Sequence, residues 1–446
     1  MAQSDLDRCV AESILGIDTL WGGDVMNPSG TGRFIADSWF SDEELPETYT
    51  DATAAAVRSS GGVSADTPDL EAIDAYLKKV DLPAAISGMT EMGAAEAGVR
   101  GDFLAGLGLS VEVMWDLAME TLGRGEPVPY TRSVEASTAM APTPSDPGPK
   151  RALLAELLTG AGYPADNEEG ILEAVDAWRA DRMVPAATIP ALARAFIAEL
   201  EASTAANVMP YLPEELHRVP RSNVEFLAIK DAWFSGSMNY VGRARDTVGR
   251  PLYEATYEIN ASLEISVPEF EELVSHEVVP GHVTTFAFVQ HLYTIGRVGF
   301  EGTVLTMNSR YSTLAEGIAN NAALMAFGLT ELDQLPDADL KIGMLLSRLQ
   351  DDAKNQASFL TWNDGVAQPE VAASLRRDCL VTEERADKLS GPWAHHPLLG
   401  RMYLPSYRAG TDKVAQLRRD HPPEIILPAL FGCRGLVDIK TIDSVL

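Results

Sequence analysis

Apolar residues recur three and four positions apart along most of the chain, which is the spacing of an amphipathic helix. Ser4 and Asp7 can cap a first helix, whose apolar face includes Val10 and Ile14. The same spacing predicts further helices at residues 68–80, 101–122, 149–160, 168–180, 188–203, 267–279, 283–295, 311–328 and 337–358. The chain is therefore expected to be mainly α-helical.

Strand-like alternation of apolar and polar residues is scarce. The best example is 252–266, LYEATYEINASLEIS, where the alternation is imperfect. Residues 21–66 are rich in Gly, Ser, Thr and Asp and predict irregular structure, and the run PTPSDPGP predicts a loop between helical layers. The pattern thus predicts a large multi-helical fold with at most one small sheet or ribbon near the active site.

The chain length allows one large domain or two domains that share a core, because 446 residues can bury a sizeable apolar interior. Residues 1–215 are predicted to form a helical scaffold, because the candidate catalytic residues come after them. Residues 216–446 predict the metal-binding catalytic portion. We expect the two portions to form one continuous globular unit.

Charge narrows the possible partners. The chain has 65 acidic and 35 basic residues and a formal net charge of -30. Nucleic acid and anionic membranes would be repelled, so neither is expected as a partner. The chain has no run of about twenty apolar residues, and its first residues lack the pattern of a signal peptide. We expect a cytoplasmic protein, and the oligomeric state stays open.

The sequence lacks the motifs that are typical of several kinds of binding site and active site. Cys9, Cys379 and Cys433 are far apart and form no CxxC pair, so neither a disulfide framework nor a thiolate metal site is expected. A GxSxG elbow, a GxxxxGK[ST] loop and a GxGxxG turn between strand and helix are also missing. Nucleophilic and nucleotide chemistry are therefore disfavoured.

A histidine-rich segment carries the strongest chemical signal. His276 and Glu277 form a His-Glu pair on a predicted helix, and His282 follows six residues after the first histidine. Imidazole suits zinc, and a neighbouring glutamate can take a proton from water. At ~100° per residue, the two histidines would lie about 120° apart on a regular helix. Pro280-Gly281 can bend the chain and bring them together.

A carboxylate downstream completes a candidate ligand set. Glu316 lies in an apolar predicted helix, LAEGIANNAALMAFG, where a buried carboxylate needs a charged partner or a metal. Two histidines and a glutamate from a following helix are a known ligand set for catalytic zinc. We therefore predict one divalent ion, expected to be zinc, bound by His276, His282 and Glu316. Iron or manganese would accept the same ligands, which iron oxygenases also use.

Three ordered motifs resemble the bacterial family catalogued as domain of unknown function 885. The resemblance covers roughly residues 265–420. The motifs are His276-Glu-Val-Val-Pro-Gly-His282, Glu316-Gly317 and Tyr407-Arg-Ala-Gly410. The resemblance implies a largely helical, zincin-like fold of the gluzincin type and a metallopeptidase-like activity.

The resemblance also implies roles for individual residues. It makes His276, His282 and Glu316 the metal ligands and Glu277 the general base. Tyr407 would steady the oxyanion, because a phenol can donate a hydrogen bond to charge that develops on a substrate oxygen. The expected function is a metal-dependent hydrolase that cleaves an amide or peptide-like bond in a small peptide or other small molecule.

Other residues are weaker candidates for substrate binding. Arg408 could bind a carboxylate through its fork of donors, and His395 or His396 could shuttle a proton. Tyr311 precedes the Glu316 helix and could line a pocket. Asn320 falls in Ile-Ala-Asn-Asn, where the family usually has Trp-Ala-Leu-Tyr.

That departure motivates an alternative function, a metalloenzyme that acts on a small non-peptide metabolite or biosynthetic intermediate. A third possibility is a helical protein that uses the site only structurally. Structural zinc sites usually have four protein ligands that include cysteine, and no cysteine lies near these motifs.

Overall fold

The computed structural model describes residues 4–27, 35–229, 236–260 and 264–446. Helix accounts for 65% of the chain and strand for 6%, which confirms the mainly α-helical prediction. The helices before the larger sheet are α1 (Asp5–Leu20), α2 (Glu47–Thr50), α3 (Ala52–Ser60), α4 (Leu70–Lys79), α5 (Leu82–Ala95), α6 (Val99–Thr121), α7 (Tyr130–Thr138), α8 (Gly148–Gly160), α9 (Glu168–Asp181) and α10 (Ile189–Asn207). The helices after it are α11 (Val267–Glu277), α12 (His282–Thr294), α13 (Arg310–Asn320), α14 (Ala322–Ala326), α15 (Ala338–Trp362), α16 (Gln368–Cys379), α17 (Glu383–Lys388), α18 (Leu404–Asp420) and α19 (Pro423–Leu430).

The described strands form two small sheets. They are β1 (Ala36–Trp39), β2 (Val224–Ile229), β3 (Gly236–Tyr240), β4 (Ala255–Asn260) and β5 (Val304–Thr306). In the larger sheet β4 lies between β2, which is parallel to it, and β3, which is antiparallel. In the smaller sheet β1 and β5 are antiparallel.

The predicted strand at 252–266 corresponds to β4, which occupies residues 255–260. Residues 261–263 of that prediction lie outside the described part of the chain. Gly236 of β3 and Asn260 of β4 line a cavity beside His276. The larger sheet therefore borders the candidate centre, where the sequence predicted a small sheet.

The main hydrophobic core includes both ends of the chain. Its buried members extend from Leu6 in α1 to Ile442 near the C-terminus, and Trp21 is fully buried among them. The indole of Trp21 donates a hydrogen bond to the carbonyl oxygen of Met114 in α6, at 3.1 Å. Burying a large apolar side chain stabilises a fold by roughly 1.5–3 kcal/mol. The core thus joins residues from both predicted portions.

Two helices that carry candidate ligands begin at serine caps. Ser266 accepts a hydrogen bond from the backbone of Glu269 at the start of α11. Ser309 accepts one from the backbone of Ser312 at the start of α13. Such caps satisfy N–H groups that have no partner inside the helix, and each is worth about 1 kcal/mol. They fix where each helix starts and hence which side chains face the site.

Candidate metal centre

The helix break predicted at Pro280-Gly281 is present. Helix α11 ends at Glu277 and α12 begins at His282. A Cβ atom on Gly281 would lie 1.8 Å from the backbone oxygen of His276, so this close approach requires glycine. The break brings the two imidazole rings to a centroid distance of 4.8 Å, nearly perpendicular at 87°.

Glu316 on α13 completes the cluster. Its Oε2 atom lies 3.6 Å from Nε2 of His276, and its Oε1 atom lies 3.8 Å from Nε2 of His282. One nitrogen or oxygen from each of the three residues lies within 4.8 Å of the others, and all three side chains are buried. Within the described residues, no other group of three His, Cys, Asp or Glu side chains has such geometry.

The two oxygens of Glu316 have different surroundings. Oε1 accepts a hydrogen bond from the hydroxyl of Tyr403 at 2.6 Å. Oε2 is buried and has no hydrogen-bond partner among the described residues. Burial raises the pKa of Glu316 to about 7. A buried carboxylate oxygen without a donor is costly unless a cation lies beside it. This oxygen and the two imidazoles fit a divalent ion such as zinc.

The other nitrogen of His276 is held by Asn320. Nδ1 of the imidazole lies 2.7 Å from the amide oxygen of Asn320. The amide nitrogen of Asn320 donates to Asp351 at 2.9 Å and to Thr411 at 2.8 Å. The amide oxygen is thus the acceptor, so Nδ1 carries the proton and Nε2 keeps a lone pair for a metal. Burial lowers the pKa of His276 well below its usual value, which also keeps the ring neutral.

Asn320 therefore lies behind a candidate ligand, although it also lines the larger cavity at the centre. The sequence predicted a substrate-binding role for it, and the structure shows a contact that orients His276. Asp351 and Thr411 extend the same network, since the hydroxyl of Thr411 donates to Asp351 at 2.9 Å. No motif or spacing in the sequence indicated these two residues.

Two tyrosines lie at the cluster, although the sequence predicted only Tyr407. The rings of Tyr403 and Tyr407 pack edge to face at 5.1 Å. The ammonium of Lys354 lies 3.2 Å from the centre of the Tyr407 ring. Burial raises the pKa of both phenols well above the usual value, so both stay protonated and can donate hydrogen bonds. Tyr403 lies four residues before Tyr407, one helical turn away, and this spacing was the available signal.

Glu277 lies where two cavities meet. One cavity has a volume of about 360 Å³ and the other about 150 Å³. Both are lined by Glu277, His276 and Tyr407, whereas His282 and Glu316 line only the smaller one. A carboxylate at this junction can reach a water molecule or a substrate that enters either cavity.

Tyr311 lines the smaller cavity, and it lies in the first turn of α13, the helix that carries Glu316, where the sequence placed it before that helix. Its hydroxyl is buried and has no hydrogen-bond partner among the described residues. Burial raises the pKa of this phenol, so it too stays protonated. Tyr311 can therefore donate a hydrogen bond to a molecule in this cavity.

The structure does not bring Arg408 to the cluster. Its guanidinium donates to the backbone oxygen of Pro144 and to the hydroxyl of Thr143, each at 2.7 Å. Arg408 follows Tyr407 on α18, and adjacent helical residues point ~100° apart. The side chain consequently holds the loop before α8 and lines a separate cavity.

His395 and His396 do not line either cavity at the centre. Nδ1 of His395 lies 2.9 Å from the backbone oxygen of Gly391. Nδ1 of His396 accepts hydrogen bonds from the backbone N–H groups of Leu398 and Leu399. These contacts give both rings local structural roles, so the structure offers no support for the predicted proton shuttle.

A contact between glycines sets the distance between α13 and α18. A Cβ atom on Gly317 would lie 2.2 Å from the backbone oxygen of Gly410. A Cβ atom on Gly410 would lie 2.0 Å from the backbone oxygen of Thr313. The glycines of the Glu-Gly and Tyr-x-x-Gly motifs therefore touch each other, and their contact places Tyr407 beside Glu316.

A pH-dependent stability follows from Glu272, which is buried on α11 and lines the larger cavity. Burial raises its pKa from 4.5 to about 8. Between these values the unfolded carboxyl loses its proton while the folded one keeps it, so stability falls as the pH rises. Glu272→Gln should remove this loss. Between pH 5 and pH 8, the free energy of unfolding should therefore fall by about 2–4 kcal/mol more in wild type than in the variant.

Urea denaturation at the two pH values measures this effect. Glu264→Gln is the control, because it changes an exposed carboxyl at the same cavity and should leave the wild-type pH dependence intact. Equal pH dependence of Glu272→Gln and wild type would contradict the assignment.

No family model and no curated protein matches this chain. Two solved structures share its fold at 14% sequence identity. One is a candidate lipoprotein from Colwellia psychrerythraea (TM-score 0.51), which aligns with 90% of this chain and 63% of its own length. The other is a candidate lipoprotein of unknown function from Shewanella oneidensis (TM-score 0.50), which aligns with 89% of this chain and 76% of its own length. The chain thus spans less than two thirds of the Colwellia protein, and the likeness concerns the fold alone.

Among the described residues, no helix combines the length and the apolar character needed to cross a bilayer.

Proposed function

We propose that this chain is a metal-dependent hydrolase of the zincin-like type, which cleaves an amide or peptide-like bond in a small substrate. One observation carries the proposal. His276, His282 and Glu316 come from three helices and meet in a buried cluster, with Glu277 at the adjoining junction of two cavities. The motif resemblance to the 885 family supports the same assignment.

Zinc suits the donor set of two imidazoles and one carboxylate, and iron or manganese would accept it as well. His276 would bind through Nε2, because Asn320 occupies its Nδ1 side. Glu316 would bind through Oε2, because Tyr403 donates to Oε1. When bound, zinc supplies a Lewis acid that polarises a carbonyl group and lowers the pKa of water.

The side chains around the cluster would divide the proton transfers. Glu277 takes the proton from the attacking water as a general base and returns it to the leaving nitrogen. Tyr407 donates a hydrogen bond to the carbonyl oxygen as negative charge develops there. Tyr311 offers its hydroxyl to another polar group of the substrate in the smaller cavity.

Elemental analysis of purified protein tests the metal. Protein prepared without added metal or a metal-binding tag should contain about one equivalent of zinc by inductively coupled plasma mass spectrometry. His276→Ala should lose it. His291→Ala should keep it, because His291 lies on α12 but outside the cluster, beside Tyr253. A wild-type protein that neither contains nor takes up zinc, iron or manganese would overturn the proposal.

A small non-peptide metabolite is the second candidate substrate. The cavity lined by all three ligands has a volume of about 150 Å³, below the ~300–1,000 Å³ of most pockets for drug-sized ligands. A substrate confined to this cavity would be short, whereas one that also enters the adjoining cavity of about 360 Å³ can be longer. Cleavage of a dipeptide panel by the metal-loaded protein would support the peptidase. Inactivity on that panel, with turnover of small non-peptide amides, would support the metabolite.

A further inference from the structure

A separate cavity of about 370 Å³ lies against other faces of α15 and α18. It shares no lining residue with the two cavities at the candidate metal centre. Asp412 is the one carboxylate in its lining. The cationic side chains in the lining are Lys150, Arg348, Arg408, Lys413 and Arg419. The lining thus has more cationic than acidic side chains, in contrast to the chain as a whole, whose net charge is -30.

Four of these cations have acidic partners. Lys150 pairs with Asp352 at 2.8 Å, and Lys413 pairs with Asp443 at 2.7 Å. Arg419 lies 3.5 Å from Glu331. Arg408 lies 3.8 Å from Asp412 and binds the loop before α8. These pairs hold the cations in place around the cavity.

Arg348 differs from the other four. Its Nε atom is buried and has no hydrogen-bond partner among the described residues. The carboxylates of Glu331, Asp351, Asp412 and Glu272 attract its charge without a direct contact. Burial lowers the pKa of the guanidinium, although arginine stays charged at neutral pH. A buried donor without an acceptor costs free energy, more so when it is charged. Arg348 also lines the cavity, where its guanidinium can donate hydrogen bonds to an anion.

We propose that this cavity binds a phosphate group, with Arg348 as its main ligand. The planar guanidinium can donate two parallel hydrogen bonds to phosphate oxygens, a geometry that lysine cannot reproduce. A volume of about 370 Å³ exceeds that of phosphate alone, so the group can be inorganic phosphate or the phosphate of a small ester. The site is independent of the proposed hydrolase activity.

Isothermal titration calorimetry on the full chain tests the site, with inorganic phosphate and glycerol 3-phosphate as probes. Chloride keeps the ionic strength constant. Saturable binding is expected, and the tighter probe shows whether the free ion or the ester is preferred. Arg348→Gln should weaken binding at least roughly tenfold, because charged hydrogen bonds are lost. Arg348→Lys keeps the charge and should bind with intermediate affinity.

Two control variants distinguish binding at Arg348 from binding elsewhere on the protein. Arg8→Gln removes an exposed arginine on α1 and should bind as wild type does. His276→Ala should also bind as wild type does, because phosphate at the metal centre would need that ligand. Absence of saturable binding by both probes would overturn the proposal. So would wild-type affinity in both Arg348 variants, or loss of binding in a His276→Ala protein whose circular dichroism spectrum matches that of wild type.

Discussion

Glu277→Gln should retain bound metal and lose turnover by about 10²- to 10⁴-fold, the usual contribution of a general base. Glutamine keeps the size of the side chain but cannot take a proton from water. Glu277 ends α11, directly after His276, and lines both cavities at the centre. The measurement is kcat on whichever amide or dipeptide the wild type cleaves, together with metal content.

Glu271→Gln is the matched control for that variant. Glu271 lies on the same helix but lines neither cavity at the centre. Its variant should keep both metal and turnover. A Glu277→Gln protein with near-normal kcat would exclude the proposed base.

Gly410→Ala should destabilise the protein by about 3 kcal/mol and weaken metal binding, because overpacking forces neighbouring backbone to move. The new Cβ atom would meet the backbone oxygen of Thr313 at 2.0 Å, and a backbone atom cannot rotate away as a side chain can. Helices α13 and α18 must separate, which moves Tyr403 and Tyr407 relative to Glu316. Urea denaturation and metal analysis measure the two effects.

Gly160→Ala is the control, because it adds a methyl group where there is open space. Gly160 ends α8, and no atom lies within 4 Å of a Cβ atom built there. Because alanine favours helix over glycine, this variant should be as stable as wild type or up to about 1 kcal/mol more stable. Equal stability of Gly410→Ala and Gly160→Ala would mean that the contact between the helices is not tight.

Helices with an apolar face were predictable, and their interruptions were not. The predicted helix at 311–328 is divided at Asn321 into α13 and α14. The amide of Asn321 donates to the backbone oxygen of Gly317 at 2.9 Å, and such a bond competes with the helical pattern. Within residues 21–66, predicted as irregular, Asp51 caps the short helix α3. Periodicity over so few residues is too brief to detect.

The candidate ligands were predictable because histidine is rare in this chain and a buried carboxylate needs a partner. The hydrogen-bond network that holds His276 in place was not predictable from the sequence. Asn320 contacts Asp351 and Thr411, which are 31 and 91 residues away, so only tertiary packing brings them together. Arg408 shows that closeness in sequence can also mislead a prediction. Its neighbour Tyr407 lies at the centre, but one step along a helix turns the next side chain away.

The three candidate ligands meet only when α11, α12 and α13 are packed together. An unfolded chain separates His276 from Glu316 by forty residues and cannot offer one ion the same three donors. A metal that binds only the folded state stabilises it by mass action, by roughly 2.7 kcal/mol at a free concentration of 100 times Kd. Metal supply would then set the abundance of folded protein as well as its activity, so starvation for the metal would deplete the protein itself.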